Sequence, residues 1–117
     1  MATILDVRDA LMSIDIDVYH FYAPDPRPDR YMIWGETAIP SGLSADDKTV
    51  IQKPSGEIYY YTTEEYDEVI CEICEALEEA DVSYQITNIG YDSTLRQVVY
   101  SLEWSIACGT GEIYRQR

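Results

Sequence analysis

The sequence predicts an α+β fold: an antiparallel or mixed β-sheet with two α-helices packed on one face, in the order α-β-β-loop-β-α-β-β. Three observations carry this expectation. Residues 63–80, TEEYDEVICEICEALEEA, place Tyr66, Val69, Ile70, Ile73, Cys74, Leu77 and Ala80 at helical spacing. Residues 97–106, QVVYSLEWSI, alternate as a half-buried strand does. A tyrosine-rich strand, EIYYYT at residues 57–62, runs straight into the helical stretch.

Each element can be justified in chain order. The first helix is expected to begin at Thr3, with Asp6 standing in for the usual Glu of a capping box. Ile4, Val7, Leu11 and Ile14 then share a face. Residues 17–22, DVYHFY, turn to alternation and read as a strand; residues 31–36, YMIWGE, read as a second. The three-proline segment between them, APDPRPDR, is a loop, and the two strands are expected to form a hairpin. Residues 37–56 hold Pro and Gly and form a long connection, with Pro54, Ser55 and Gly56 interrupting the approach to the third strand. In that strand Ile58 and Tyr60 face one way, Tyr59 and Tyr61 the other. Thr62 or Thr63 is expected to cap the second helix. Strands at residues 82–89 and 97–106 complete the chain, with Gly90, Asp92 and Ser93 turning between them. In the last strand Val98, Tyr100, Leu102, Trp104 and Ile106 are assigned to the core.

The second helical stretch carries eight acids and no base. Glu64, Glu68 and Glu72 stand four apart, and each such like-charge pair costs about 0.2–0.5 kcal/mol. Glu78 and Glu79 sit at the negative end of the helix dipole, where acids are unfavourable.

A chain of 117 residues is one domain by length. The formal charge of −14 excludes phosphate-driven nucleic-acid binding and adhesion to anionic membranes, and favours a basic partner or a surface that repels nucleic acid. The sequence shows no apolar run long enough to span a membrane and no secretory leader pattern. Cys71, Cys74 and Cys108 are expected to be reduced thiols of a cytoplasm.

No catalytic constellation emerges, and no cofactor or metal site is expected. Cys71 and Cys74 form a CxxC, but two turns inside a helix and among Glu68, Glu72 and Glu75. Surrounding carboxylates raise a thiol pKa, so redox chemistry is disfavoured there. His20, the single histidine, reads as a half-buried packing residue between Tyr19 and Phe21. Asp46 and Asp47 lack EF-hand spacing and read as loop acids. Eleven tyrosines are many for this length, and Tyr19, Tyr59 and Tyr61 are assigned to the face away from the core. Tyrosine is enriched at protein interfaces. Self-association is therefore expected to use strand edges, these three tyrosines and the 37–56 segment with Asp46 and Asp47.

The order of elements resembles the tail terminator family of long-tailed bacteriophages and prophages, also described as tail completion, head–tail joining or minor capsid proteins. The residues that carry the resemblance are TILDVRDAL, VYHFYAP, YMIWGE, the acidic ADDK at 45–48, YYYTTEEYDEVICEICEALEEADVSYQI and VVYSLEWSI. The chain departs from the family at Arg30, where Pro is common, and at KPSG, residues 53–56. The resemblance implies a non-enzymatic virion protein, made in the host cytoplasm and placed at the head–tail junction. It implies a homo-oligomeric ring, usually a hexamer, that touches the tail tube protein and the head connector and lets DNA pass without sequence-specific binding. Glu68, Glu72 and Glu75 would then form an acidic face on the lumen or the outer surface. The rival reading is an acidic DNA mimic that occupies a basic protein groove. A redox enzyme built on Cys71 and Cys74 is the third.

Overall fold

The computed structural model describes residues 2–38 and 54–107. Helix α1 spans Ile4–Met12, followed by strands β1 (Asp17–His20), β2 (Arg30–Ala38) and β3 (Ser55–Thr62), helix α2 (Val69–Glu79), and strands β4 (Ser83–Asp92) and β5 (Gln97–Ser105). The strands form one mixed sheet of order β1-β2-β3-β5-β4. Both helices bury their apolar stripes in one core, where Ile4, Val7 and Leu11 of α1 and Val69, Ile73 and Leu77 of α2 meet alternate sheet residues. Those residues line up across strands. Met32 pairs with Tyr60 and Trp34 with Ile58, and across the next ladder Tyr60 pairs with Tyr100 and Ile58 with Leu102. Each fully buried aliphatic side chain contributes roughly 1.5–3 kcal/mol.

Helix α1 starts as its sequence dictates. Thr3 is extended (φ −116°), its hydroxyl accepts from the Asp6 N–H at 3.4 Å, and its own N–H donates to the Asp6 carboxylate at 2.7 Å.

Strand β1 corrects the expected hairpin, because it pairs with β2 in parallel, Asp17 against Tyr31 and His20 against Trp34. Parallel neighbours require the chain to travel back along β1 before β2 begins. Residues 21–29 supply the reach. Nine residues span up to about 30 Å extended, against about 13 Å for a four-residue strand. Phe21 takes the left-handed conformation (φ 68°) and reverses the chain; its ring lies where a Cβ on Gly35 would fall 2.5 Å away. Ala23 is buried, the Asp25–Pro26 bond is cis, and the Asp29 carbonyl accepts from the buried Gln97 side chain at 3.0 Å. A proline-rich loop is thus fixed against the sheet at both ends.

Helix α2 is shorter than its acidic stretch. Residues 63–68 are turns, Tyr66 has φ 54° and is 93% exposed, and neither Thr62 nor Thr63 caps the helix. Asp67 does the work assigned to them: its Oδ1 accepts from the Val69 N–H at 3.0 Å. Glu64 lies outside the helix and is ion-paired with Arg30, so the like-charge series begins only at Glu68. The early part of the stretch fails as helix because the Asp67 carboxylate is held elsewhere. Tyr60 Oη (2.7 Å), Thr62 Oγ1 (2.6 Å) and Arg30 Nε (3.1 Å) all approach its Oδ2. At the other end Asp81 adopts φ 62° and the Val82 N–H donates to the Leu77 carbonyl at 2.9 Å, closing the helix as a glycine would.

Ser55 and Gly56 belong to β3 and do not interrupt it. At Gly56 a side chain is excluded: a Cβ would meet the Gly35 carbonyl oxygen at 2.0 Å and Trp104 Cζ2 at 2.6 Å. Strand β4 runs on through Gly90 to Asp92, and the turn is at residues 93–96. Asp92 Oδ1 accepts from the N–H groups of Thr94 and Leu95, and Arg96 completes the turn at φ 56°. The core assignment of Tyr100, Leu102, Trp104 and Ile106 holds, with Val98 half-buried beside them.

Candidate interaction surfaces

Two faces of the sheet present different chemistry. On the face away from the helices, Tyr19, Tyr59 and Tyr61 lie half-buried, as their alternation requires. They are organised by a residue that the sequence did not single out. Tyr31 is fully buried at the centre of this face, stacked on Tyr61 at 4.6 Å between centroids and 9° between planes. Tyr19 meets it edge-on at 6.3 Å. The Arg27 guanidinium sits 5.9 Å over the Tyr31 ring, and its Nη1 donates to the Tyr31 hydroxyl at 3.5 Å. Burial, with Tyr31 alongside, pushes the Tyr61 phenol up. The returning loop therefore covers the middle of the tyrosine cluster, and Tyr59 lies outside it, paired with Ile33. Two exposed aromatics, Phe21 (61%) and Tyr22 (67%), follow the end of β1. Asp46 and Asp47, with Cys108 and the ADDK segment, lie outside the described residues.

On the helix-bearing side, Glu68, Glu72 and Glu75 are exposed along α2. The sheet separates them from the tyrosines, so these two sets of expected surface residues form two distinct surfaces.

The CxxC is placed differently from expectation. Cys71 is the third residue of α2, not two turns within it, and is exposed as a free thiol; Cys74 is half-buried against the core. Burial is the main reason the Cys74 thiol is pushed up, with the nearby acids Glu78 and Glu75 adding to it. A raised thiol pKa lowers the thiolate fraction on which disulfide exchange depends.

His20 is more exposed than a packing residue, at 46% for its side chain. It stacks between Phe21 (4.2 Å) and Trp34 (4.3 Å), and its Nε2 lies 2.6 Å from Glu36 Oε1. No nucleophile completes a triad with this pair, among the described contacts of His20.

Sequence reading also passed over the Asp67 cluster. Burial alone would raise this carboxyl, but hydrogen bonds from Thr62, the Val69 N–H and Tyr60, with Arg30 beside it, hold it below the usual carboxylate range. The pattern T-x-x-x-x-D, with Tyr two residues before the Thr, carried no motif that would have revealed it.

A hollow of about 480 Å³ at the Ser55–Ser105–Ser83 end of the sheet is lined by Thr37, Glu57, Glu103 and Trp104 among others. Among the described residues no group of three or more His, Cys, Asp or Glu side chains is arranged to hold a metal, and no helix is long and apolar enough to cross a membrane. No family model matches the chain, and no curated protein matches it.

Proposed function

We propose that the chain is a structural protein of a long-tailed phage or prophage, acting as a tail terminator or tail completion protein at the head–tail junction. The observation that carries this reading is the order of elements: helix, two strands, connection, strand, helix, two strands, folded as one sheet with both helices on one face. That is the order on which the family resemblance rests. The net charge of −14 supports it, since a wall facing passing DNA must not hold phosphates. In this reading the chain acts by shape and potential, without catalysis. A closed ring needs two different, complementary patches on each subunit. The exposed aromatics Phe21 and Tyr22, beside the tyrosine face, offer one of them. The acids of α2 turn to the lumen or the outer surface.

The uncompensated acids of α2 also favour the second reading, a DNA mimic seated in a basic groove. One experiment separates the two. Purified chain is mixed with polymerised tubes of a long-tailed phage tail tube protein and viewed by negative-stain electron microscopy. A ring-shaped cap on tube ends, with tube growth arrested, is the expected result. Tubes that grow unhindered and stay bare would overturn the terminator reading. A 1:1 complex with a DNA-binding protein, displaced by duplex DNA, would favour the mimic.

A further inference from the structure

Strand β4 is one of the sheet's two edges among the described residues, the other being β1, and at ten residues it is the longest strand described. Its helix-side residues should be covered by α2, but only the first is. Tyr84 packs against the core, and its hydroxyl donates to Glu78 of α2. Beyond it Ile86, Ile89 and Tyr91 are 40%, 58% and 66% exposed.

Their alignment depends on a bulge. The β4–β5 register shifts between Ile86 and Asn88, so that Ile86 opposes Leu102 and Ile89 opposes Tyr100. Leu102 and Tyr100 both face the core, so Ile86 and Ile89, three apart, share that face. Tyr91 opposes Val98 and extends the row. Helix α2 starts beside Thr62 and ends beside Tyr84, crossing the sheet diagonally, and leaves this corner open. The result is an apolar shelf of Ile86, Ile89 and Tyr91, floored by half-buried Val98 and next to a strand edge that pairs with no further strand among the described residues. Such an edge is normally blunted, and the bulge at Thr87 interrupts it only at one point.

We infer that the β4 edge and its shelf bind an extended, basic segment of another protein as an added strand, with apolar side chains at alternate positions. Main-chain groups of β4 supply the pairing, and the period of two sets the pattern. Side chains on the helix side rest on Ile86, Ile89 and Tyr91. Those on the other side meet the polar row of Gln85 and Asn88, with Glu103 on the next strand. Charge selects the occupant. Glu78 of α2 borders the shelf at Tyr84, within a chain of charge −14, and Asp92 ends β4 on the opposite face. A second copy brings the same charge, and three of its four arginines among the described residues, Arg8, Arg27 and Arg30, already face acids of their own chain. A segment carrying lysine or arginine is attracted where a copy is repelled. Nothing about β4 depends on a virion role, and the peptide test below reads no virion property.

The test uses the full chain and a capped ten-residue peptide of alternating Lys and Val, with alternating Glu and Val and a Lys-block/Val-block peptide as controls. Amide hydrogen exchange of β4 and light scattering are read with and without peptide. Only the alternating Lys–Val peptide should slow exchange of the β4 amides that do not bond to β5, by at least tenfold. Ile89→Lys should weaken that peptide at least tenfold while the far-ultraviolet spectrum stays the same; Tyr91→Lys serves if the first variant misfolds. The inference is overturned if those amides are already slow in the free chain, if protection falls elsewhere or nowhere, if the Glu–Val or block peptide binds equally, or if Ile89→Lys dissolves an oligomer, which would make a second copy the occupant.

Discussion

Asp67 offers the sharpest test of how this fold is held together. Its carboxylate is 3% exposed and receives Tyr60 Oη at 2.7 Å, Thr62 Oγ1 at 2.6 Å, the Val69 N–H at 3.0 Å and Arg30 Nε at 3.1 Å. Asp67→Ala removes every one of these acceptor contacts. A buried donor left without a partner costs about 1–3 kcal/mol; the Val69 N–H loses its acceptor in this cluster, while the Tyr60 and Thr62 hydroxyls can still bond each other. The Arg30 guanidinium keeps Glu64, and the Thr62 hydroxyl can turn, so the losses do not simply add. The expected destabilisation is about 2–4 kcal/mol, the cost of one or two buried donors left poorly paired, since the Arg30 left behind is partly exposed. Asp67→Asn keeps one carbonyl oxygen for the Val69 N–H but turns an N–H₂ toward three donors, and should cost about 2–3 kcal/mol. Tyr60→Phe alone should cost about 1 kcal/mol, and little more in an Asp67→Ala background, since its partner is already gone. Urea unfolding followed by tryptophan fluorescence reads all of this, because Trp34 and Trp104 are both buried in the core. A loss below about 1 kcal/mol for Asp67→Ala with an unchanged urea slope would show that the cluster is not a keystone.

Two further outcomes follow from the same structure. The folded-state pKa of Asp67 lies below its ordinary value, so its contribution to stability is present above about pH 4, where the unfolded carboxyl ionises, and is lost as pH falls through the folded value; the stability gap between the natural chain and Asp67→Asn should narrow as pH falls below about 4 in urea titrations, and a constant gap would contradict the assignment. Gly56→Ala should destabilise by about 1–3 kcal/mol or more, because its Cβ meets backbone at 2.0 Å, whereas Gly90→Ala, whose nearest neighbour is 3.4 Å away, should fall within about 0.5 kcal/mol in the same denaturation series.

The periodicities made much of this fold legible. The face of α1, the alternation of β5 and the two faces of β3 are local properties of spacing, and local spacing decides them. What escaped was set by distant partners. The parallel pairing of β1 depends on Phe21 folding against Gly35 and on Gln97 holding the Asp29 carbonyl, contacts spanning 14 and 68 residues. The late start of α2 depends on Tyr60 and Arg30 drawing Asp67 out of a helix that its neighbours would otherwise continue. Tyr31 could not be told from the other tyrosines because nothing in YMIWGE announces that Arg27 will lie over it. On the surfaces, the off-core placement of Tyr19, Tyr59 and Tyr61 was readable, and the shelf on β4 was not, because the bulge at Thr87 breaks the alternation that would have shown Ile86 and Ile89 as neighbours.

The acids of α2 gain meaning from what lies beneath them. Glu68, Glu72, Glu75 and Glu79 recur at helical spacing on the exposed side, with no base in the last turn. Each like-charge neighbour costs about 0.2–0.5 kcal/mol, while Val69, Ile73 and Leu77 on the other side contribute roughly 1.5–3 kcal/mol apiece by burial. The inner stripe outweighs the outer repulsion several times over, so the helix stands whatever its solvent face carries. Packing therefore does not dictate that face. Its charge is available to set a potential, and the partner it would draw is a basic one, whether a neighbouring virion protein or the strand-forming segment inferred for β4.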